Sequence, residues 1–158
     1  MSSEPGIQLT DIVVTPLELG KIQRELFALD EFLSADSHGK SSGSSLPYTS
    51  PLLQNLVKVS ELNLLKVDER KQFMLQLQFV RRTAPVIQIS FGSEPTKQAL
   101  RVLVRWFREN GHPNTLIAPG VQPALAGGCV VRTSTKTFDF SLQKLFKNTR
   151  NELAQKLN

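Results

Sequence analysis

The chain carries a single cysteine, Cys129, in 158 residues. That excludes an intramolecular disulfide and any multi-cysteine zinc site, and a reducing compartment is expected. Its two histidines, His38 and His112, stand far apart, with no Cys or close acidic pair at ligand spacing, so no metal centre is expected. One Trp and one Tyr leave few platforms for stacking bases. No apolar run reaches the length of a membrane span, and Met1 to Thr10 lacks the basic and apolar regions of a signal peptide. A soluble protein of the cytoplasm is the expectation. Catalytic motifs are missing too. Gly127-Gly128 lacks the G-x-G-x-x-G spacing and opens a strand rather than a helix, no phosphate-loop Lys follows it, and Asp139 and Ser141 have no nearby His. His112 stands beside Pro113, where a turn is expected. Activated nucleophiles need a base and an orienting partner, so neither a catalytic residue nor a cofactor is expected.

What is present begins with an excess of positive charge, +5 with a pI near 9.6. Such a balance invites a nucleic-acid reading, because Lys and Arg clusters release counterions from phosphate backbones. The distribution argues otherwise. Arg81, Arg82, Arg101, Arg105, Arg108, Lys144, Lys147 and Arg150 are spread over the polar faces of expected helices. A solvated or protein-facing role is therefore expected for them. A 40% hydrophobic content suffices for one ordinary domain, or a small domain with an appendage.

Three zones follow one another. Asp11 to Val14 reads as a short strand or an apolar tether. Thr15 with Glu18 forms a capping box, and Pro16 occupies the first helical position, where its missing N–H costs nothing. Leu19, Ile22, Leu26, Leu29 and Leu33 recur at helical spacing. Residues 35–50 turn to Ser, Gly, Asp, His and Lys, the composition of a mobile loop. Ser50-Pro51 opens a second helix expected to reach Leu62, and Asp68 a third expected to run through Phe79 to Arg82. Leu52, Leu53, Leu56, Val57, Phe73, Leu75, Leu77 and Val80 supply their apolar content.

After Arg82 the period changes. Pro85 to Phe91, with Val86, Ile87 and Ile89, predicts a strand buried in a sheet. Ser93 is expected to cap a helix reaching Glu109, with Ala99, Val102, Leu103, Trp106 and Phe107 on one face, stopped by an αL-compatible Asn110-Gly111 pair. Thr115 to Ala118 predicts a second strand. Val121-Gln122-Pro123-Ala124-Leu125-Ala126-Gly127-Gly128 then turns sharply into a third, Cys129 to Thr133, where a side chain would obstruct close backbone approach. Ser134 and Thr135 turn the chain into Lys136 to Phe140, whose Phe138 and Phe140 alternate onto one apolar face. Ser141 reads as the N-cap of a last helix from Leu142 to about Leu157, carrying Leu142, Leu145, Phe146, Leu153 and Leu157. The fold class expected is α+β, with a helical region at 1–83 and an α/β domain at 84–158. The latter runs strand, helix, strand, strand, strand, helix, a small sheet packed with two helices.

The order of Val121, Gln122, Leu125, Gly127, Gly128, Val130, Val131 and Arg132, followed by Asp139 and Ser141, resembles the signature of the delta subunit of F-type ATP synthases, the oligomycin-sensitivity-conferring protein family. Cys129 departs mildly, since that place is usually a larger apolar residue or Gly. The resemblance extends back to about Ala84. It implies a non-catalytic peripheral-stalk (stator) subunit of a proton-translocating enzyme, held peripherally on the inner face of the cell membrane through the complex. Its C-terminal domain would bind the ends of the b-subunit helices, and its helical domain would meet the alpha subunit of the catalytic head. The family's helical bundle has six helices, whereas three are expected here. The partner surface expected from sequence is Phe146 and Leu153 with Lys147 and Arg150 as a basic rim, while Gly127, Gly128, Asp139 and Ser141 form the structural motif. The competing reading is a small basic RNA-binding module, which would require a contiguous positive face on the sheet.

Overall fold

The computed structural model describes residues 9–36 and 47–142. It has an α+β fold in which three helices precede a mixed four-stranded sheet.

Helix α1 spans Pro16–Asp36. Its capping box forms as expected: Glu18 N–H donates to Thr15 Oγ1 at 3.2 Å, and Glu18 Oε2 accepts from the N–H groups of Thr15 and Val14 at 3.0 and 2.8 Å. Leu19, Ile22, Leu26 and Leu29 are buried. The helix runs through Ala35 and Asp36, which the composition assigned to the loop, and most of that loop lies outside the described residues. Helix α2 spans Pro51–Val59, with Ser50 Oγ accepting from Leu53 N–H at 3.3 Å. It stops short of Leu62 because Glu61 takes φ 52° and Leu62 N–H folds back onto the Val57 carbonyl at 3.3 Å. Helix α3 spans Val67–Thr83, with Asp68 and Glu69 in its first turn and Arg81 and Arg82 in its last, both ends complementing the helix dipole.

Leu19, Ile22, Leu26, Leu53, Leu56, Phe73, Leu77 and Val80 close into one apolar cluster. Leu75, counted in the apolar content of α3, is exposed. Arg70 is instead buried at the edge of this core, 1% exposed, with Nε donating to Asp30 Oδ1 at 2.5 Å and Nη1 to the Leu64 carbonyl at 2.8 Å. A charge there is tolerated because it is both paired and hydrogen-bonded.

The second half is built from β1 (Val86–Phe91), α4 (Lys97–Asn110), β2 (Leu116–Val121), β3 (Gly128–Arg132) and β4 (Thr137–Ser141). The strand order is β2-β1-β3-β4. β1 and β2 are parallel, and β1–β3 and β3–β4 are antiparallel. Three details differ from expectation. Thr96, not Ser93, caps α4, its Oγ1 accepting from Ala99 N–H at 3.2 Å; Pro95 disfavours helical backbone at the residue before it, which delays the start. Gly111 ends α4 at φ −143° rather than in αL. Glycine is needed there because a Cβ would stand 2.8 Å from the Phe107 carbonyl oxygen. β2 continues through Val121, in register with Phe91.

Residues 9–14 are a tether, not a strand, and they form the seam between the halves. Leu9 and Val13 enter the helical core together with Leu116 of β2, while Val14 enters the sheet core with Ile89, Val104 and Ile117. Ile117 N–H donates to the Val14 carbonyl at 2.9 Å. Arg108, expected on a polar face, binds this segment. Its guanidinium donates to the carbonyls of Leu9, Thr10, Val13 and Thr115 at 3.0, 2.9, 2.6 and 3.0 Å. Arg105 pairs with Asp11 at 2.6 Å, but both partners are well exposed.

Arg108→Ala should lower stability by about 2 to 4 kcal/mol, since it leaves several partly buried carbonyls without a donor. Arg105→Ala should lose less than about 1 kcal/mol, as exposed pairs do. Urea denaturation of both variants checks the ordering, which equal midpoints would contradict.

Candidate docking surface

The turn into β3 depends on three successive backbone conformations that side chains disfavour. Pro123–Leu125 form a single 3-10 turn, after which Ala126 takes φ 57°, Gly127 φ 148° and Gly128 φ 74°. Leu125 is buried and anchors the turn. A Cβ on Gly127 would stand 2.6 Å from the Leu142 side chain, and one on Gly128 would run into the Phe140 carbonyl. Gly92, at the end of β1, lies equally close, since its Cβ would be 2.8 Å from Gly127 N. The Gly-Gly pair therefore serves both purposes expected of it, positive φ and close backbone approach. Leu142 N–H donates to the Gly127 carbonyl at 3.1 Å and fixes where the chain leaves the sheet.

The hairpin that follows closes with Thr133: its N–H donates to the Lys136 carbonyl at 2.8 Å, and its Oγ1 accepts from Lys136 N–H at 3.0 Å. Register then decides which side chains share a face. Cys129 opposes Phe91 and Phe140, and Val131 opposes Ile89 and Phe138. Ile87, Ile89, Phe91, Cys129, Val131, Phe138 and Phe140 thus lie on one side of the sheet. Helix α4 packs Leu100, Leu103, Val104 and Phe107 onto this side, against Ile87, Ile89, Phe91, Cys129 and Val131. Phe138 and Phe140 stand one strand beyond, 45% and 61% exposed, with their rings stacked at 6.4 Å and 11°.

The inward stripe of α4 differs from the expected one. Leu103 and Phe107 face the core, but Ala99, Val102 and Trp106 are exposed. Trp106 meets Phe107 edge-on at 5.1 Å. It also lines a cleft of about 340 Å³ with Thr133 and Ser134 of the β3–β4 turn, and with His112 and Thr115. Trp106 therefore stands on the flank of α4 toward that turn. Val102 and Trp106 on α4, and Phe138 and Phe140 on β4, are exposed apolar residues of this half. Exposed hydrophobes of this kind mark interaction sites where they are contiguous, as the stacked Phe138–Phe140 pair is.

Chemistry is sparse around it. Asp139 Oδ1 accepts from the N–H of Ser141, which is buried and ends β4. Burial pushes the Cys129 thiol above its ordinary pKa, away from the thiolate form. His112 shapes a turn, with Nδ1 accepting from Asn114 N–H at 3.2 Å and its carbonyl accepting from Thr115 N–H at 3.0 Å. Among the described residues, no group of three or more His, Cys, Asp or Glu is placed to hold a metal ion. No described helix is long and apolar enough to cross a membrane. The partner residues read from sequence, Phe146, Lys147, Arg150 and Leu153, lie outside the described residues, as does the helix after Leu142. Sequence reasoning missed Trp106 as a surface residue; the available signal was the second apolar stripe Ala99, Val102, Trp106 beside the inward one.

Gly127→Val should destabilise the fold by about 1 to 3 kcal/mol, through strain and the Leu142 clash. Ser134→Ala, at an exposed turn position, should change stability by less than about 0.5 kcal/mol. Thermal melts of the two decide, and equal midpoints would show the Gly-Gly pair to be incidental. Cys129 should react with a disulfide reagent at pH 8 more slowly in the folded chain than in urea, because the raised pKa and partial burial both suppress attack. Equal rates would place the thiol at the surface.

No protein-family model matches this chain, and no curated protein matches it.

Proposed function

We propose that this chain is a peripheral-stalk subunit of an F-type ATP synthase, a non-catalytic stator part that binds the C-terminal ends of the b-subunit helices. The observation that carries the reading is the exposure of four apolar side chains, Val102 and Trp106 on α4 and the stacked Phe138 and Phe140 on β4, on the half of the chain whose Gly-Gly hairpin bears the family resemblance. An amphipathic helix docks on such a surface through apolar anchors at helical spacing. Trp and Phe are the residue types that dominate interface energetics. Arg101 on α4 is exposed and would meet acidic residues of the stalk helix, raising the association rate. On this reading the alpha subunit of the catalytic head is a second partner, reached through the helical half, and the protein is held at the membrane only through the complex.

The stacked Phe138–Phe140 pair also favours the competing reading, an RNA-binding module, because exposed aromatics on a strand stack bases. The charge pattern weighs against it. Arg132 is the only basic residue in the four strands, and a phosphate backbone needs a contiguous positive track.

Titration with a peptide from the C-terminus of the cognate b subunit tests the proposal, read by calorimetry with wild type, Trp106→Ala and Phe140→Ala. The expected outcome is saturable binding that each variant weakens at least about tenfold, the scale of an interface anchor. No binding to wild type defeats the stalk reading. Unchanged affinity in folded variants moves the interface elsewhere, and tighter binding of a single-stranded RNA than of the peptide favours the alternative.

A further inference from the structure

The outer face of α1 has a pattern that its own fold does not use. Leu17, Lys21, Arg24, Phe27, Ala28, Glu31 and Ala35 are all exposed, Leu17 by 68% and Phe27 by 55%. At 100° per residue, Leu17, Arg24, Phe27, Ala28, Glu31 and Ala35 fall on one stripe, opposite the buried Leu19, Ile22, Leu26 and Leu29. Gly20 lies on the same stripe. A Cβ there would meet nothing within 4 Å, so no contact within the chain requires this helix-interior glycine, which is destabilising relative to alanine. Neither Arg24 nor Glu31 takes part in an ion pair among the described residues.

We infer that this face is a self-association surface, on which α1 of a second copy packs antiparallel about a two-fold axis passing midway between Phe27 and Ala28. In that register Arg24 faces Glu31 of the other copy, and the same pair recurs across the axis. Phe27 opposes Ala28, a large side chain over a small one, and Gly20 opposes Ala35, where two small residues let the helices approach closely. The stripe is thus complementary to itself in charge and in size, which is what an isologous contact requires. No other described helix places opposite charges symmetrically about an exposed aromatic residue. One helix pair falls at the small end of specific interfaces, so the dissociation constant expected is on the order of tens of micromolar. The inference stands apart from the stalk proposal, because it uses neither α4 nor the sheet.

Sedimentation equilibrium of the full chain from about 1 to about 300 µM brackets that constant. Wild type should pass from monomer to dimer across the range. Arg24→Glu and Glu31→Arg should each weaken dimerisation at least about tenfold, by setting like charges against each other. The double variant R24E/E31R should restore it to within about threefold, because the exchange regenerates both pairs. Both positions are exposed, and circular dichroism verifies that each variant keeps its helices. A wild type that stays monomeric throughout overturns the inference, whether or not some other protein's helix occupies the face. So does a double variant no stronger than the singles.

Discussion

One guanidinium decides how the two halves of this chain meet. Arg108, in the last turn of α4, points its planar fork at the carbonyls of Leu9, Thr10, Val13 and Thr115. These acceptors belong to an irregular segment and a strand entry, neither of which has a regular ladder to satisfy it, and buried carbonyls demand donors. Burial draws the Arg108 pKa down while the Asp11 carboxylate opposes that shift, and a guanidinium keeps its charge under such conditions. A lysine in its place would offer three donors on a point charge and could not span four carbonyls in a fixed plane. Asn114 completes the arrangement by accepting from Leu9 N–H at 3.1 Å.

The consequences run outward from this seam. With residues 9–14 held in place, Leu9 and Val13 fill the helical core and Val14 the sheet core. Thr15 then caps α1 in a direction fixed by the seam, and α1 carries the groups that locate α2 and α3: Glu25 accepts from Ser50 N–H at 2.9 Å, and Asp30 from Arg70. Leu116 of β2 lies in the same cluster as Leu19 and Phe73. The helices and the sheet share side chains, and neither face of the seam is dry without the other.

Parts of this were readable from sequence for identifiable reasons. The α1 capping box, the β1 strand and the alternation of Phe138 with Phe140 follow from local chemistry that tertiary context did not override. The inward face of α4 was not readable, because Ala99, Val102, Trp106 and Leu100, Leu103, Phe107 form adjacent apolar stripes. Periodicity cannot choose between stripes one residue apart, and only the sheet decides. Arg70 and Arg108 were missed for a different reason. Each occupies a helical position that pattern assigns to solvent, and each is drawn inward by acceptors distant in sequence, Asp30 in one case and residues 9–13 in the other. For the candidate surface, sequence supplied the hairpin and its aromatic pair, whereas Trp106 became visible only once α4 was set on the sheet.

On the proposed stator reading, the seam has a mechanical meaning. A subunit that joins a stalk helix to a catalytic head must carry force between its two binding regions without a slack joint. A flexible linker between α3 and β1 would dissipate displacement before transmitting it. This chain instead passes from Thr83 through Ala84 and Pro85 directly into β1, with the Pro85 carbonyl accepting from Leu116 N–H at 2.9 Å. A second, covalently separate connection runs through residues 9–14 and the Arg108 fork. Both connections meet β2 at consecutive residues, the Pro85 carbonyl at Leu116 N–H and the Val14 carbonyl at Ile117 N–H, and a doubled attachment around which Leu9, Val13 and Leu116 pack yields less readily than a single strand of chain, which would act as a hinge. The stiffness such a part needs is supplied by backbone carbonyls, a guanidinium and shared apolar side chains, with no reactive group required.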